Sequence, residues 1–142
     1  MTATTIKAKI KSVLLSITGV EQVEDYPNQD FSAYPAVQVA YEGHTSERHS
    51  NEENDVVHTF KAFVFQVVEG AIDRSRARII LEELTDTICD TFDSDEFLAG
   101  ISLPAGKTII GIKPTNVLIG EDEEGKFTVS EIELAVRVNK DV

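Results

Sequence analysis

The sequence predicts an α+β domain in which two main helices pack on one face of a largely antiparallel sheet of four to five strands. Three observations support this class: a helical pattern begins the chain, strand patterns dominate the rest, and a second helical pattern divides the strands into two groups. The predicted order is α-β-β-β-α-β-β. A chain of this size can bury about 70% of its unfolded surface, so residues 1–142 are predicted to form a single domain.

The first predicted helix covers residues 3–18 and is amphipathic. Its apolar side chains recur at the spacing of one helical face: Ile6, Ile10, Val13, Leu14 and Ile17. Gly19 follows and is placed to end the helix. Because burial of such side chains offsets the cost of ordering the helix, we expect this face to dock on the sheet.

Three strands are predicted after this helix. Residues 20–25 form a weak strand that stops before Pro27. Residues 37–41 alternate apolar and polar side chains, as in a strand with one buried face. Residues 56–68 are apolar on both faces, which predicts a central strand that Gly70 ends.

The second predicted helix covers residues 71–92, and a hairpin of residues 108–119 and 126–138 completes the sheet. Pro114 argues that its strand is an edge strand or is interrupted there, because proline cannot donate to a ladder. The first apolar residues of the last strand are out of phase with those that follow. This change of phase predicts a β-bulge near Ser130.

Charge is distributed unevenly along the chain. The net charge of −12 argues against a nucleic-acid binder of the basic-patch kind. Acids concentrate in two connections, residues 42–55 and 121–124. The first connection has the composition of a segment that is mobile in the free subunit. Both connections can be explained as solvated surface or as interaction segments.

Basic residues lie on the helices, which allows a head-to-tail contact between copies of the chain. An acidic connection of one subunit would meet the basic second helix of the next, and such a contact closes into a ring if its rotation permits. Charges of this kind set the register of an interface more than its affinity. The candidate subunit and tube interface residues are Glu47, Arg48, Glu52, Glu53, Asp55, Arg74, Arg76, Arg78, Glu121, Asp122, Glu123 and Glu124.

Two residue groups have a superficial likeness to metal sites. His44, Glu47 and His49 fit no established ligand spacing, so we expect solvated side chains there. Asp93 and Asp95 lack the glycine and the terminal glutamate of a calcium loop, which favours a turn that ends the helix. His58 falls within a predicted strand and is interpreted as a sheet-surface residue. We predict no metal and no cofactor.

Catalytic motifs have no support in the sequence. Cys89 falls beside the apolar face of the second helix, where a small buried side chain is expected, and one cysteine cannot form an internal disulfide. No glycine-rich phosphate loop and no nucleophile elbow is present. No apolar run reaches the roughly 20 residues of a membrane span, and the lysines near the amino terminus argue against a signal peptide. The sequence predicts neither an enzyme nor a membrane protein.

The order of these segments resembles a known family. The segments are an amino-terminal helix, DFSAYPAVQVAYEG with its aromatic-proline entry to a strand, the acidic connection, TFKAFVFQV, a long helix and the hairpin GEDEEGKFTVSEIELAVRV. Together they resemble the tail terminator proteins of long-tailed bacteriophages, also called tail completion or minor tail proteins.

The resemblance implies a homohexameric ring that caps the tail tube, ends tube polymerisation and joins the tail to a neck or head-completion protein. Such a protein binds other virion proteins and catalyses no reaction. It would be assembled in the host cytoplasm and would lie at the neck of the tail in the virion. DNA would be passing cargo in the bore. Two alternatives stay open: another neck or head-completion ring protein, or a small acidic cytoplasmic enzyme or ligand-binding domain with a polar pocket.

Overall fold

The computed structural model describes residues 2–28, 30–48, 53–70, 72–93, 103, 107–122 and 124–141. They form an α+β fold in the order α-β-β-β-α-β-β, which confirms the predicted class and order. The elements are α1 (Thr2–Ser16), β1 (Gln22–Asp25), β2 (Ala36–Arg48), β3 (Glu53–Val67), α2 (Arg74–Asp93), β4 (Lys107–Glu121) and β5 (Phe127–Asp141).

The five strands form one mixed sheet in the spatial order β1-β2-β3-β5-β4. β1 runs parallel to β2, and every other pair is antiparallel. β3 lies at the centre, as its apolar sequence predicts. β4 lies at the edge, in agreement with the position of Pro114, because an edge strand needs ladder donors on one side only.

Both helices pack on one face of the sheet. α1 covers β1 and β2, whereas α2 covers β3, β5 and β4. The core between helices and sheet is fully enclosed, with Ile10, Leu14, Phe60, Leu81 and Leu134 each at 0% exposure. The helical stripe predicted for α1 is buried, with exposures of 0–7% from Ile6 to Ile17. Hydrophobic burial of these two helix faces therefore holds the layers together.

The β2–β3 connection is shorter than predicted. β2 continues to Arg48 and β3 begins at Glu53, and Glu47 lies opposite Asp55 in an antiparallel register. The prediction of a mobile loop is therefore wrong for residues 42–48 and 53–55, whereas residues 49–52 lie outside the described residues. Polar residues extend the hairpin because the ladder satisfies the backbone, while one face of an antiparallel pair can meet water.

The bulge predicted near Ser130 is also wrong. β5 pairs with β3 in unbroken register from Asp141 opposite Glu53 to Phe127 opposite Val67. The out-of-phase residues Phe127 and Val129 instead belong to the sheet face away from the helices, here called the open face. The Phe127 ring packs there against Tyr34, with ring centroids 5.5 Å apart. The register shifts lie elsewhere: Tyr41/Gly43 in β2 and Ile109/Gly111 and Pro114/Asn116 in β4.

Part of the open face is covered by the loop between β1 and β2. Phe31 of this loop packs on Phe65 with ring centroids 5.4 Å apart, and Tyr26 packs on Phe63 at 5.9 Å. Beneath the loop, buried Gln38 donates a hydrogen bond of 2.7 Å from Nε2 to the carbonyl of Asn28. This contact satisfies a polar group that burial would otherwise penalise.

Candidate functional site

The first group of predicted interface residues lies at the β2–β3 hairpin. Glu47 and Arg48 end β2 and Glu53 begins β3, so the backbone of these three residues lies next to the hairpin tip. Glu52 lies outside the described residues. The strand register therefore brings the predicted residues of this segment to one end of the sheet.

Asp55 does not have the exposed position that an interface charge requires. It is 5% exposed on the open face, its Oδ2 accepts a hydrogen bond of 2.9 Å from Arg137 Nη1, and its Oδ1 accepts one of 2.9 Å from Asn139 Nδ2. Hydrogen bonds to both oxygens stabilise the ionised carboxylate at this site. Asp55 therefore joins β3 to β5 within one chain.

The second group lies in the turn between β4 and β5. Asp122 Oδ1 accepts a hydrogen bond of 3.2 Å from the Phe127 amide, and the Asp122 carbonyl accepts one of 3.1 Å from the Gly125 amide. Asp122 thus builds the turn. Glu121 and Glu124 remain exposed at its surface, and Glu123 lies outside the described residues. Glu124 is 3.0 Å from Lys126 Nζ and raises the pKa of that lysine by accepting its hydrogen bond.

The third group is the basic start of α2. Asp73 caps the helix, because its Oδ1 accepts a hydrogen bond of 2.9 Å from the Arg76 amide. Arg74, Arg76 and Arg78 are exposed in the first turns, where the positive end of the helix dipole disfavours cations. Arg78 is balanced by Glu82 at 2.8 Å. Within the part of the chain that the structure describes, Arg76 makes no ion pair.

The turn and the start of α2 meet within a single chain. Arg74 Nη1 lies 3.8 Å from Glu121 Oε2, and the Arg74 guanidinium also lies over Gly125. The sequence predicted this acid-base pairing between copies. For Arg74 it occurs inside one subunit, which leaves Arg76 as the arginine without an internal counter-charge among the described residues.

The two acidic segments lie at opposite ends of the sheet. Glu53 pairs with Asp141 at one end of the β3–β5 ladder, and Val67 pairs with Phe127 at the other. Each of these strands has 15 residues. At about 3.3 Å per residue the two ends are roughly 45 Å apart. One basic helix on a neighbouring copy cannot contact both segments.

The apolar surface of β4 was not predicted from the sequence. Ile110, Val117 and Leu118 are 52%, 39% and 58% exposed on this edge strand. A groove of about 430 Å³ runs beside the strand on the open face, lined partly by Ile110, Lys113 and Ala135. The adjacent apolar pair Val117-Leu118 is the available sequence signal, because neighbouring strand residues point to opposite faces. Exposed apolar edges of this kind favour association.

Two histidines and a tyrosine form a cluster at the base of the β2–β3 hairpin. The Tyr41 hydroxyl lies 3.1 Å from His44 Nδ1 and 2.9 Å from His58 Nδ1. His58 is 8% exposed on the helix-side face, so its interpretation as a surface residue is wrong. Burial lowers the pKa of His58, as do the nearby charges of His44 and Lys107. Within the described ranges, no three metal-binding side chains converge.

Cys89 is half-buried on α2, in agreement with its prediction as a packing residue. Burial raises the pKa of the thiol, and the carboxylates of Asp93, Asp86 and Asp90 raise it further. The protonated form is therefore favoured, which opposes a role as a thiolate nucleophile. Asp95 lies outside the described residues. No helix in the described part of the chain has the length and apolar composition to cross a bilayer.

Comparison with known proteins gives a structural likeness. No protein-family model matches the sequence, and no curated protein sequence matches it. One solved structure with a similar fold is a chain of the "Virion of native gene transfer agent (GTA) particle", with a TM-score of 0.63 over 96% of this chain and 96% of that chain. The two sequences are 14% identical. At this identity the likeness establishes a shared fold.

Proposed function

We propose that this chain is a structural virion protein that forms a hexameric ring, caps the tail tube, ends its polymerisation and provides the interface to a neck or head-completion protein. The observation that carries the proposal is the fold likeness to a virion chain over 96% of both molecules. The resemblance in element order to tail terminator proteins points to the same role. The finer assignment to the tail rests on that resemblance.

The positions of the acidic segments support two separate axial contacts. The β2–β3 tip and the β4–β5 turn lie at opposite ends of the β3–β5 ladder. A protein that joins a tube to a neck needs a binding surface at each end. Arg76 supports a binding role at the turn end, because a cation at a helix N-terminus reduces helix stability and Arg76 has no counter-charge among the described residues. Charges at such contacts steer assembly and set register.

The overall charge suits a ring through which DNA passes. The net charge of −12 repels phosphates, so a bore lined by this chain would bind DNA weakly. The ring in this proposal binds proteins and catalyses no reaction. DNA is cargo, and the protein acts in the virion after assembly in the host cytoplasm.

Tube polymerisation in vitro tests the proposal. Purified tail-tube subunits are allowed to polymerise with and without this protein, and tube length and tube ends are measured by negative-stain electron microscopy. We expect short tubes with a ring at one end. Glu121→Lys with Glu124→Lys should reduce capping, whereas Asp86→Lys with Asp90→Lys, at two exposed acids of α2, serves as a charge-matched control. Tubes of unchanged length without rings would contradict the proposal, and rings found only on capsid portals would indicate a neck protein.

A further inference from the structure

We infer that the exposed edge of β4 binds the β1 end of a second copy of this chain, which deepens the proposed function by naming the contact between neighbouring subunits of the ring. The β4 edge consists of Ile110, Lys113, Val117 and Leu118. The β1 end consists of the acids and the aromatic residue around the other edge of the sheet: Glu21, Glu24, Tyr26 and Asp30.

Lys113, Pro114 and two bulges protect the first part of the β4 edge, whereas Val117 and Leu118 beyond them have no such feature. Natural edges carry charges, bulges or a covering segment that prevent pairing with another chain. β4 is 15 residues long, pairs with β5 alone within the described sheet, and exposes Leu118 to 58%. Its bulges at Ile109/Gly111 and Pro114/Asn116 leave Val117 and Leu118 in a regular segment. An exposed apolar edge of this kind is a surface for docking.

The charge of this edge is positive in a strongly acidic protein. From Ile110 to Leu118 the only charged residue is Lys113. Lys113 is exposed and makes no ion pair with any residue that the structure describes. The edge therefore presents apolar side chains beside a lysine without an ion pair. A complementary partner surface has an exposed apolar group beside acids that also lack ion pairs.

The β1 end has those features. Tyr26 follows β1, and its ring packs on Phe63 of its own chain but remains 55% exposed on the open face. Glu21 and Asp30 are exposed, Glu24 is half-buried, and none of the three has an ion pair among the described residues. Asp25 differs from these acids, because Lys7 and Lys11 contact its Oδ1 at 3.3 Å and 3.2 Å. The second copy thus supplies the complementary charge and an aromatic anchor of the type enriched in interfaces.

The sheet order makes this contact head-to-tail. β1 and β4 are the two outer strands of one five-stranded sheet, so a copy bound at β4 leaves its own β4 edge free for the next copy. A heterologous contact repeated in this way closes into a ring when its rotation permits. A contact between two β4 edges would stop at a dimer. The β1 and β4 edges determine the geometry of this contact, and the proposed ring gives the contact its function.

Two variants that block opposite edges test the contact. Leu118→Glu places an acid on the β4 edge against the acids of the β1 end, and Tyr26→Lys removes the aromatic anchor and opposes Lys113. Ile79→Glu is the control, because Ile79 is 46% exposed on α2, away from both edges. Circular dichroism confirms that each variant folds. Self-association is measured by light scattering and sedimentation over a range of concentrations.

We expect each edge variant to weaken self-association at least about tenfold, the loss typical of a central interface residue, with little change for Ile79→Glu. A mixture of Leu118→Glu and Tyr26→Lys should form a one-to-one dimer, since each variant keeps the edge that the other lacks. Self-association of Tyr26→Lys alone into a dimer would show a β4–β4 contact and overturn the inference.

The proposed function and the inference fail separately. If both edge variants form the same rings as the wild-type protein, the β1–β4 contact is overturned and the proposed ring still stands. Association that depends on Leu118 and Tyr26, without any capping of tubes, would leave the contact intact and overturn the tail function. A wild-type chain that stays monomeric at every concentration and with tubes present would overturn both.

Discussion

Arg74 at the start of α2 lies directly over Gly125 in the β4–β5 turn. A Cβ atom added at Gly125 would be 2.6 Å from Arg74 Nη2. The same guanidinium reaches the Glu121 carboxylate, with 3.8 Å between Nη1 and Oε2. The basic helix start and the acidic turn thus form one surface at the same end of the molecule, and this surface depends on the conformation of Gly125.

Gly125→Ala should destabilise the turn. Gly125 has a φ of +70°, which costs a residue with a side chain about 1–2 kcal/mol, whereas the flexible end of Arg74 can move away. We expect the free energy of unfolding to fall by about 1 kcal/mol in urea denaturation. Gly120→Ala is the matched control, because Gly120 has no positive φ and an added Cβ meets no atom within 4 Å. Equal stability of the two variants would contradict this account of the turn.

Replacement of Asp55 should destabilise the sheet near the tip of the β2–β3 hairpin. Asp55→Ala leaves Arg137 and Asn139 without the acceptor that each contacts at 2.9 Å. Arg137 is 41% exposed and can be hydrated, so we expect a loss of about 1–3 kcal/mol, less than for a fully buried pair.

The control for Asp55 is Glu42→Ala, whose exposed carboxylate lies 3.8 Å from Lys61 Nζ. Surface pairs of this kind contribute at most about 1 kcal/mol. Thermal and urea unfolding of the two variants measure the difference. A loss for Asp55→Ala no larger than that for Glu42→Ala would show that the buried carboxylate has no structural role.

Removal of two neighbouring hydroxyl groups in the core should change the free energy of unfolding in different ways. Thr128 Oγ1 is buried with no hydrogen-bond partner in the described part of the structure, whereas the Ser130 hydroxyl accepts a hydrogen bond of 2.9 Å from Thr85 Oγ1. Thr128→Val should leave stability unchanged or raise it by up to about 1 kcal/mol, because it removes an unsatisfied polar group. Ser130→Ala should cost about 1–2 kcal/mol, since Thr85 then loses its acceptor.

Urea denaturation of both hydroxyl variants gives the comparison directly. Thr128→Val and Ser130→Ala lie two positions apart on the same buried face of β5, so they share a background. A clear loss of stability in Thr128→Val would mean that its hydroxyl has a partner in solution.

The buried histidine should make stability depend on pH. Burial, His44 and Lys107 lower the pKa of His58 below its usual value, so the unfolded chain binds this proton more readily than the folded chain. Stability is therefore fully present above about pH 6.5 and falls as pH drops from there through the folded-state pKa. His58→Gln should reduce the difference in unfolding free energy between about pH 7.5 and about pH 5.5.

His44→Gln provides the companion measurement for this effect. It removes one of the charges that oppose protonation of His58, so the dependence on pH should weaken without disappearing. If the unfolding free energy of His58→Gln depends on pH as strongly as that of the wild-type protein, other groups cause the dependence.

The sequence predicted the layers of this fold because hydrophobic periodicity determined them. The stripe from Ile6 to Ile17 and the apolar strand around Val64 had to be buried, and they lie in the core. Strand ends were harder to predict, because the polar ends of β2 and β3 around Glu47 and Glu53 are held by backbone hydrogen bonds and show no apolar pattern in the sequence. The ion pair between Asp55 and Arg137 could not be predicted either, because the two residues are distant in sequence and become neighbours only through the register of β3 with β5.

The candidate site was predicted in part. Charge runs located the exposed Glu121, Glu124 and Arg76, but composition could not show that Arg74 meets the acidic turn of its own chain. The edge position of Leu118 depends on sheet order, which a sequence pattern does not specify. The contact proposed between copies depends on this edge, so the sequence pattern alone could not indicate it.

Native mass spectrometry of the purified protein, alone and bound to tail tubes, tests the central proposal most directly. The account predicts a closed assembly with six times the mass of the 15.6 kDa chain, seen as a ring at the tube end by electron microscopy. A single 15.6 kDa species at every concentration, with no ring on any tube, would contradict it.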